Sequence, residues 1–163
     1  MQPEIITRDE FIVVGVRTVF EMGAQSTGTL WKEMFLPRHA ELQGAEHCYY
    51  GVFNALPDDK KGGLFEYVAG VVSTLENIPF GMVGWVIPEG TYARTTATGL
   101  GGIGQVCRDV ITDWLPDSGY KMVASPMFAS TRDKHPDSPD AVWEVNIPVE
   151  TPEALEALKK WNI

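Results

Sequence analysis

The residue best placed to do chemistry is Glu144, within Ala141-Val142-Trp143-Glu144-Val145-Asn146-Ile147-Pro148-Val149. The run alternates, is rich in β-branched and aromatic residues and closes at a proline, so it reads as a strand. Side chains alternate across a strand. Glu144 therefore shares a face with Val142 and Asn146, and Trp143, Val145 and Ile147 share the other. A carboxylate in that place is either a solvated outer residue or the one charge in a ligand cavity. The strand aromatics bear on the second reading: Tyr49, Tyr50, Phe53, Phe65, Tyr67, Trp85, Tyr92, Phe128 and Trp143. Each alone is ordinary core. Tyrosine and tryptophan carry polar atoms that need a partner or water, so several together suit a half-open pocket. Aromatic faces with one carboxylate form the constellation for a flat or bulky lipophilic cation.

Other chemistries have thinner support. Gly99-Leu100-Gly101-Gly102-Ile103-Gly104 matches G-x-G-x-x-G. A dinucleotide site needs a buried apolar strand before it and an acid about 20 residues on. Here the preceding strand is half polar, and that later region is a helix stop. The glycines read as a strand-to-helix connection at a cleft rim. His39, His47 and His135 show no i, i+4 pairing, and no G-x-S-x-G turn is present. No metal and no cofactor is expected.

Composition narrows the class. The chain has 163 residues, 44% of them hydrophobic and 21% charged, which fits one soluble domain with a full core. Thirteen Lys and Arg stand against 22 Asp and Glu, for a formal charge of −9. No basic stripe exists, which argues against binding a phosphate backbone. Apolar runs fall short of the roughly 20 residues of a membrane span, and the N-terminus lacks the pattern of a signal peptide. Cys48 and Cys107 lie far apart and read as reduced, buried thiols of a cytoplasmic protein.

The elements that must position these residues come in a repeating order. Phe11 to Val19 is a strand. A helix capped by Ser26 or Thr27 follows, with Leu30, Trp31, Met34 and Phe35 at near-helical spacing and Pro37 kinking or restarting it. Cys48 to Asn54 and Leu64 to Val72 form a hairpin across the polar turn 57–63. Met82 to Ile87 and Thr91 to Ala97 form a second hairpin across Pro88-Glu89-Gly90. Ile103, Val106, Val110, Ile111 and Trp114 mark a second helix, which stops at Leu115-Pro116-Asp117-Ser118-Gly119. A short strand around Met127-Phe128-Ala129 precedes the Glu144 strand. Thr151 and Pro152 open a short terminal helix. The order predicts an α+β fold of duplicated strand-helix-strand-strand units. They would form antiparallel sheet with two main helices, with a ligand cleft at the junction to which the Glu144 strand belongs. The units are residues 1–76 and 77–150, with 151–163 as the C-terminal helix.

In its ordered segments the chain resembles the GyrI-like small-molecule-binding domain, the effector-binding domain of bacterial transcription activators. They are Val13-Val14-Gly15-Val16, Tyr50-Gly51-Val52, Phe65 to Val71, and Pro79-Phe80-Gly81-Met82. They continue through Trp85 to Ala93, Trp114 to Tyr120, and Glu144 to Val149. The resemblance implies an aromatic cleft with Glu144 as its recurring acid. It also implies multidrug-type binding of amphipathic drugs and dyes, in stand-alone form because residue 1 is close to the first strand. After Tyr92-Ala93 the family often continues with an aromatic, whereas Arg94-Thr95-Thr96 follows here.

The leading expectation is a binder of lipophilic or cationic aromatic small molecules. Glu144 is its charge partner and Trp85, Tyr50, Tyr67, Tyr92 and Trp143 its walls, with Trp31 and Phe35 closing one side. The alternative, also implied by the family, is a hydrolase of strained cyclopropane-containing or other electrophilic lipophilic compounds. There Glu144 is base or stabiliser and Tyr67 or Tyr92 the proton donor. A third expectation is a domain that inhibits an unidentified protein partner through its acidic surface.

Overall fold

The computed structural model describes residues 2–21, 27–42, 48–55 and 64–150. The Ser26 cap, His47, the turn 57–63 and the terminal helix 151–163 lie outside them. The strands are β1 (Glu4–Arg8), β2 (Phe11–Glu21), β3 (Tyr49–Ala55), β4 (Leu64–Val72), β5 (Val83–Ile87), β6 (Gly90–Thr98), β7 (Lys121–Met122), β8 (Met127–Thr131) and β9 (Val142–Glu150). They form one 9-stranded antiparallel sheet in the order β1-β6-β9-β8-β3-β4-β2-β5, with β7 added to β9. This is the expected α+β architecture, with two helical segments on one face. Among the described residues no helix is long and apolar enough to cross a membrane.

The pairing repeats. In the first half β4 lies between β2 and β3, and in the second half β9 lies between β6 and β8. The halves join where β3 meets β8, through Gly51↔Ala129 and Phe53↔Met127. The Glu144 strand β9 therefore sits one strand out from the junction rather than on it.

The expected hairpin of residues 82–87 with 91–97 does not form. Phe11 to Gly15 of β2 pair with Ile87 to Val83 of β5, and β1 pairs with β6 from Glu4↔Arg94 to Arg8↔Gly90. Pro88-Glu89 carries the chain from one end of the sheet to the other. Turn residues there satisfied a hairpin pattern locally, but each half donates its edge strand to the other.

The first helical segment, α1, runs through an α turn Thr27–Thr29, a π turn Leu30–Phe35 and a 3-10 turn Leu36–Glu41. A π turn brings residues five apart into line. Leu30, Trp31 and Phe35 are buried while Met34 is 49% exposed, which is why the four do not share one face. Pro37 opens the 3-10 turn, where its missing N–H costs nothing. The second segment, α2, runs Leu100–Asp109, through a π turn Val110–Trp114, to Leu115–Ser118. Gly99 precedes it at φ 72°, with its N–H on Ala141 O at 2.7 Å. A Cβ there would press on the Pro139 carbonyl, so the glycine makes a tight turn and not a phosphate cradle. Gly119 ends α2 in the left-handed region.

Both faces of the sheet are buried at its middle. One face packs Val14, Val16, Tyr67, Ala69, Trp143, Val145 and Ile147 under Leu30, Trp31 and Phe35 of α1 and Ile103, Cys107 and Val110 of α2. The other packs Phe11, Val13, Tyr50, Val52, Val68, Tyr92 and Phe128. On that second face the sheet curls inward. Two strands separate β2 from β8, so a flat sheet would hold their backbones roughly 14 Å apart. The Phe11 and Phe128 rings nevertheless meet at 5.1 Å. The pair Gly15↔Gly70 lies on this concave side, and a Cβ on either would run into the backbone of the facing strand. Gly15→Ala should therefore cost about 2–3 kcal/mol, read as a lowered urea midpoint with an unchanged slope.

Candidate functional site

The predicted site residues divide between the two faces. Residues directly opposite each other across paired strands share a face. Glu144 is opposite Ser130 and Thr96, Ser130 is opposite Tyr50, and Tyr92 is opposite Pro148. Glu144, Tyr50, Tyr92 and Trp85 thus belong to the concave face. Trp143 is opposite Ala97, and Tyr67 is opposite Phe53. These two stand on the helix-bearing face, where Trp31 meets both and Phe35 packs against Trp31. Tyr67 and Glu144, one pair a hydrolase could use, are not brought together, whereas Tyr92, the other candidate donor, shares the face of Glu144.

On the concave face Glu144 is about half exposed, and its Oε2 lies 3.3 Å from Arg94 Nη1. Arg94 Nε donates to Asn146 Oδ1 at 3.3 Å. Buried Asn146 donates in turn to the carbonyls of Phe128 and Glu144. The acid is already answered by a cation of the chain. A second such group, Arg17–Glu66 at 2.6 Å with Asn54 donating to Glu66, stands on the same face. The ring basin holds a cation too: the Arg8 guanidinium lies 3.9 Å from the Phe11 ring centre and 5.3 and 5.5 Å from those of Tyr50 and Phe128. Burial raises the Tyr92 hydroxyl, and Arg8 partly opposes it. That hydroxyl donates to Pro88 O at 3.2 Å.

On the helix-bearing face the rings converge from both halves. Trp31 Nε1 donates to Tyr67 Oη at 2.8 Å, and both residues are buried. Trp31 also meets Trp143 at 5.7 Å, Phe35 at 5.2 Å and Tyr49 at 6.0 Å. Tyr49 touches Phe35 and His39 as well, and Phe53 meets Tyr67 edge-on at 4.8 Å. Tyr49, Phe53 and Met127, on the two central strands, are only partly buried. They form an aromatic floor at the junction of the halves, with α1 along one side. Tyr49, Phe53 and Met127 are absent from the predicted site. The usable signal was parity: Tyr49 lies on the strand face of Tyr67 and Trp143, and Tyr50 on the other. His39, weighed only as a metal ligand, is a ring partner here.

Gly51 makes room for Tyr67, because a Cβ there would meet the Tyr67 hydroxyl. Burial drives that hydroxyl well above the ordinary tyrosine pKa, and the Trp31 hydrogen bond opposes it. A raised folded-state pKa on an acid gives stability that is complete below the unfolded value, near 10. It is lost as pH climbs toward the folded value. Stability should therefore fall above about pH 10, and less steeply in Tyr67→Phe. The same variant strands the Trp31 N–H in the core, and urea unfolding at neutral pH should show a loss of about 1–3 kcal/mol.

Known proteins share this architecture. The structure of SAV2435 bound to tetraphenylphosphonium superposes with a TM-score of 0.67 at 16% identity, over 92% of this chain and 94% of that one. The EcmrR C-terminal domain gives 0.66 at 19% identity, over 92% and 98%. An integron cassette protein of Vibrio cholerae gives 0.65 at 16%, over 92% and 97%. At such identities the likeness is one of fold. No curated protein matches the chain. The GyrI-like small molecule binding domain model matches residues 1–150. With that match over nearly its whole length, the chain belongs to the GyrI-like family and carries a small-molecule-binding domain.

Proposed function

We propose that this chain binds bulky aromatic, lipophilic small molecules, cations among them, on the aromatic floor where its halves meet. The observation that carries the reading is the half-buried Tyr49 ring, held on a central strand and in contact with Trp31, Phe35 and His39 of α1. Partly exposed rings over a buried aromatic layer offer stacking area and a quadrupole for a delocalised cation. The formal charge of −9 raises the local concentration of cations. SAV2435, of the same fold, has been captured with tetraphenylphosphonium. Cys48 and Cys107 are buried and form no disulfide among the described residues, which fits a reducing cytoplasm. The hydrolase alternative with Tyr67 as donor would need Glu144 and Tyr67 on one substrate, and they stand on opposite faces of the sheet; with Tyr92 as donor, acid and hydroxyl share the concave face.

Tryptophan fluorescence titration with tetraphenylphosphonium tests this. Saturable micromolar binding is expected, weakened about tenfold in Tyr49→Ala and unchanged in Glu144→Gln. Loss in Glu144→Gln with full binding in Tyr49→Ala would instead place the ligand on the concave face, beside Glu144, Tyr50, Tyr92 and Trp85.

A further inference from the structure

A separate feature lies where α2 ends. Ser118 Oγ donates to the Leu115 carbonyl at 2.7 Å and accepts from the Tyr120 N–H at 3.0 Å. With Gly119 at φ 83°, this reverses the chain and lays the Tyr120 ring on Trp114. The two rings stack, with centroids 5.7 Å apart and planes 23° from parallel. Asp113, Trp114, Asp117, Tyr120 and, from β1, Ile5 are among the residues lining a cavity of about 630 Å³. That is within the range of small-molecule sites, roughly 300–1,000 Å³.

The charge in this cavity is not answered by the chain. Asp113 and Asp117 are four residues apart, so two like charges share one side of α2, with roughly 5–6 Å between their Cβ atoms. They lie in the last turns of the helix, where its dipole is negative, and neither turn holds a basic residue. Among the described residues neither carboxylate has an ion-pair partner. Asp113 accepts from a neutral neighbour, the Thr112 hydroxyl, at 3.2 Å. A bound cation would relieve both repulsions. A metal ion fits poorly, because among the described residues no three His, Cys, Asp or Glu side chains converge. An ammonium group fits better. Its N–H bonds suit the carboxylates, and the ring faces attract its charge. Methylenes beside it find apolar cover on Trp114, Tyr120 and Ile5.

We propose that the cavity at the end of α2 is a second binding site, for aliphatic diamines and polyamines. Two ammonium groups of one guest meet Asp113 and Asp117, and the methylenes between them lie along the stacked rings. The site stands apart from the Tyr49 floor. It takes a flexible, multiply charged guest in place of a flat aromatic one.

Spermidine and butylamine, titrated at matched ionic strength and followed in nitrogen-15 spectra, test this. In the wild type the Trp114 indole resonance should move saturably with spermidine, while those of Trp31 and Trp143 stay still. Butylamine, with one ammonium, should bind about fivefold more weakly. Asp117→Asn should weaken spermidine about fivefold, and Asp113→Asn/Asp117→Asn further still. These exchanges keep the side-chain size and remove a repulsion, so the double variant should melt higher than the wild type without amine. Glu76→Gln/Glu89→Gln removes the same charge from exposed positions elsewhere and should leave spermidine binding unchanged. Equal loss in that control would mean that spermidine reads net charge alone, and would overturn the site. A Trp114 resonance unmoved by spermidine would overturn it too, as would one moved equally by magnesium chloride. Tetraphenylphosphonium binding should be unchanged in Asp113→Asn/Asp117→Asn, so failure here leaves the aromatic floor standing.

Discussion

The helix-bearing face depends on one buried hydrogen bond, from Trp31 Nε1 to Tyr67 Oη at 2.8 Å. Segment α1 is short and irregular, with no side-chain cap on its π or 3-10 turns. Such a segment has little helical stability of its own. Three buried side chains and this bond hold it to the sheet. At its far end Arg38 grips Glu41 and the Phe80 carbonyl, but these contacts are exposed and contribute little. The bond in turn requires the bare backbone of Gly51. A glycine on the central strand thus sets where a tyrosine ring lies, where a helix docks, and which rings line the junction.

The concave face obeys a different constraint. Its strands curl over Gly15 and Gly70, and curling crowds rings and charges together. Arginines answer each buried or half-buried demand there: Arg94 with Glu144 and Asn146, Arg17 with Glu66, Arg8 over three aromatic rings. A cationic guest on this side would have to compete with cations already tethered in place.

Much of the fold was legible because strand and helix periods are local. The α+β class, the repeated order of elements, the turn at Gly99 and the helix stop at Gly119 all follow from short patterns. The partners of β5 and β6 did not, because Pro88-Glu89-Gly90 looks like a hairpin turn wherever the sheet later sends its two arms. The candidate site was legible by residue type and half legible by place. The parity of Glu144 and Trp143 was readable, and it does set them on opposite faces. What could not be read is which face of the central strands the helices cover, since Tyr49-Tyr50-Gly51-Val52-Phe53 and Tyr67-Val68-Ala69 are apolar on both faces. That choice comes from long-range packing, such as Trp31 reaching Trp143, which no local window contains.

The exchange of edge strands has a consequence for how the chain is made. Pairing of β1 with β6 joins Glu4 to Arg94, and β2 receives β5 only after residue 87. While synthesis proceeds from the N-terminus, β1 has no partner, and β2 keeps one edge bare. Unpaired edges invite association with other chains, and contacts so far apart in sequence form slowly. The first half on the ribosome is therefore an incomplete sheet waiting for its sibling. Neither half is a separable module: cutting the chain between them would take an outer strand from each.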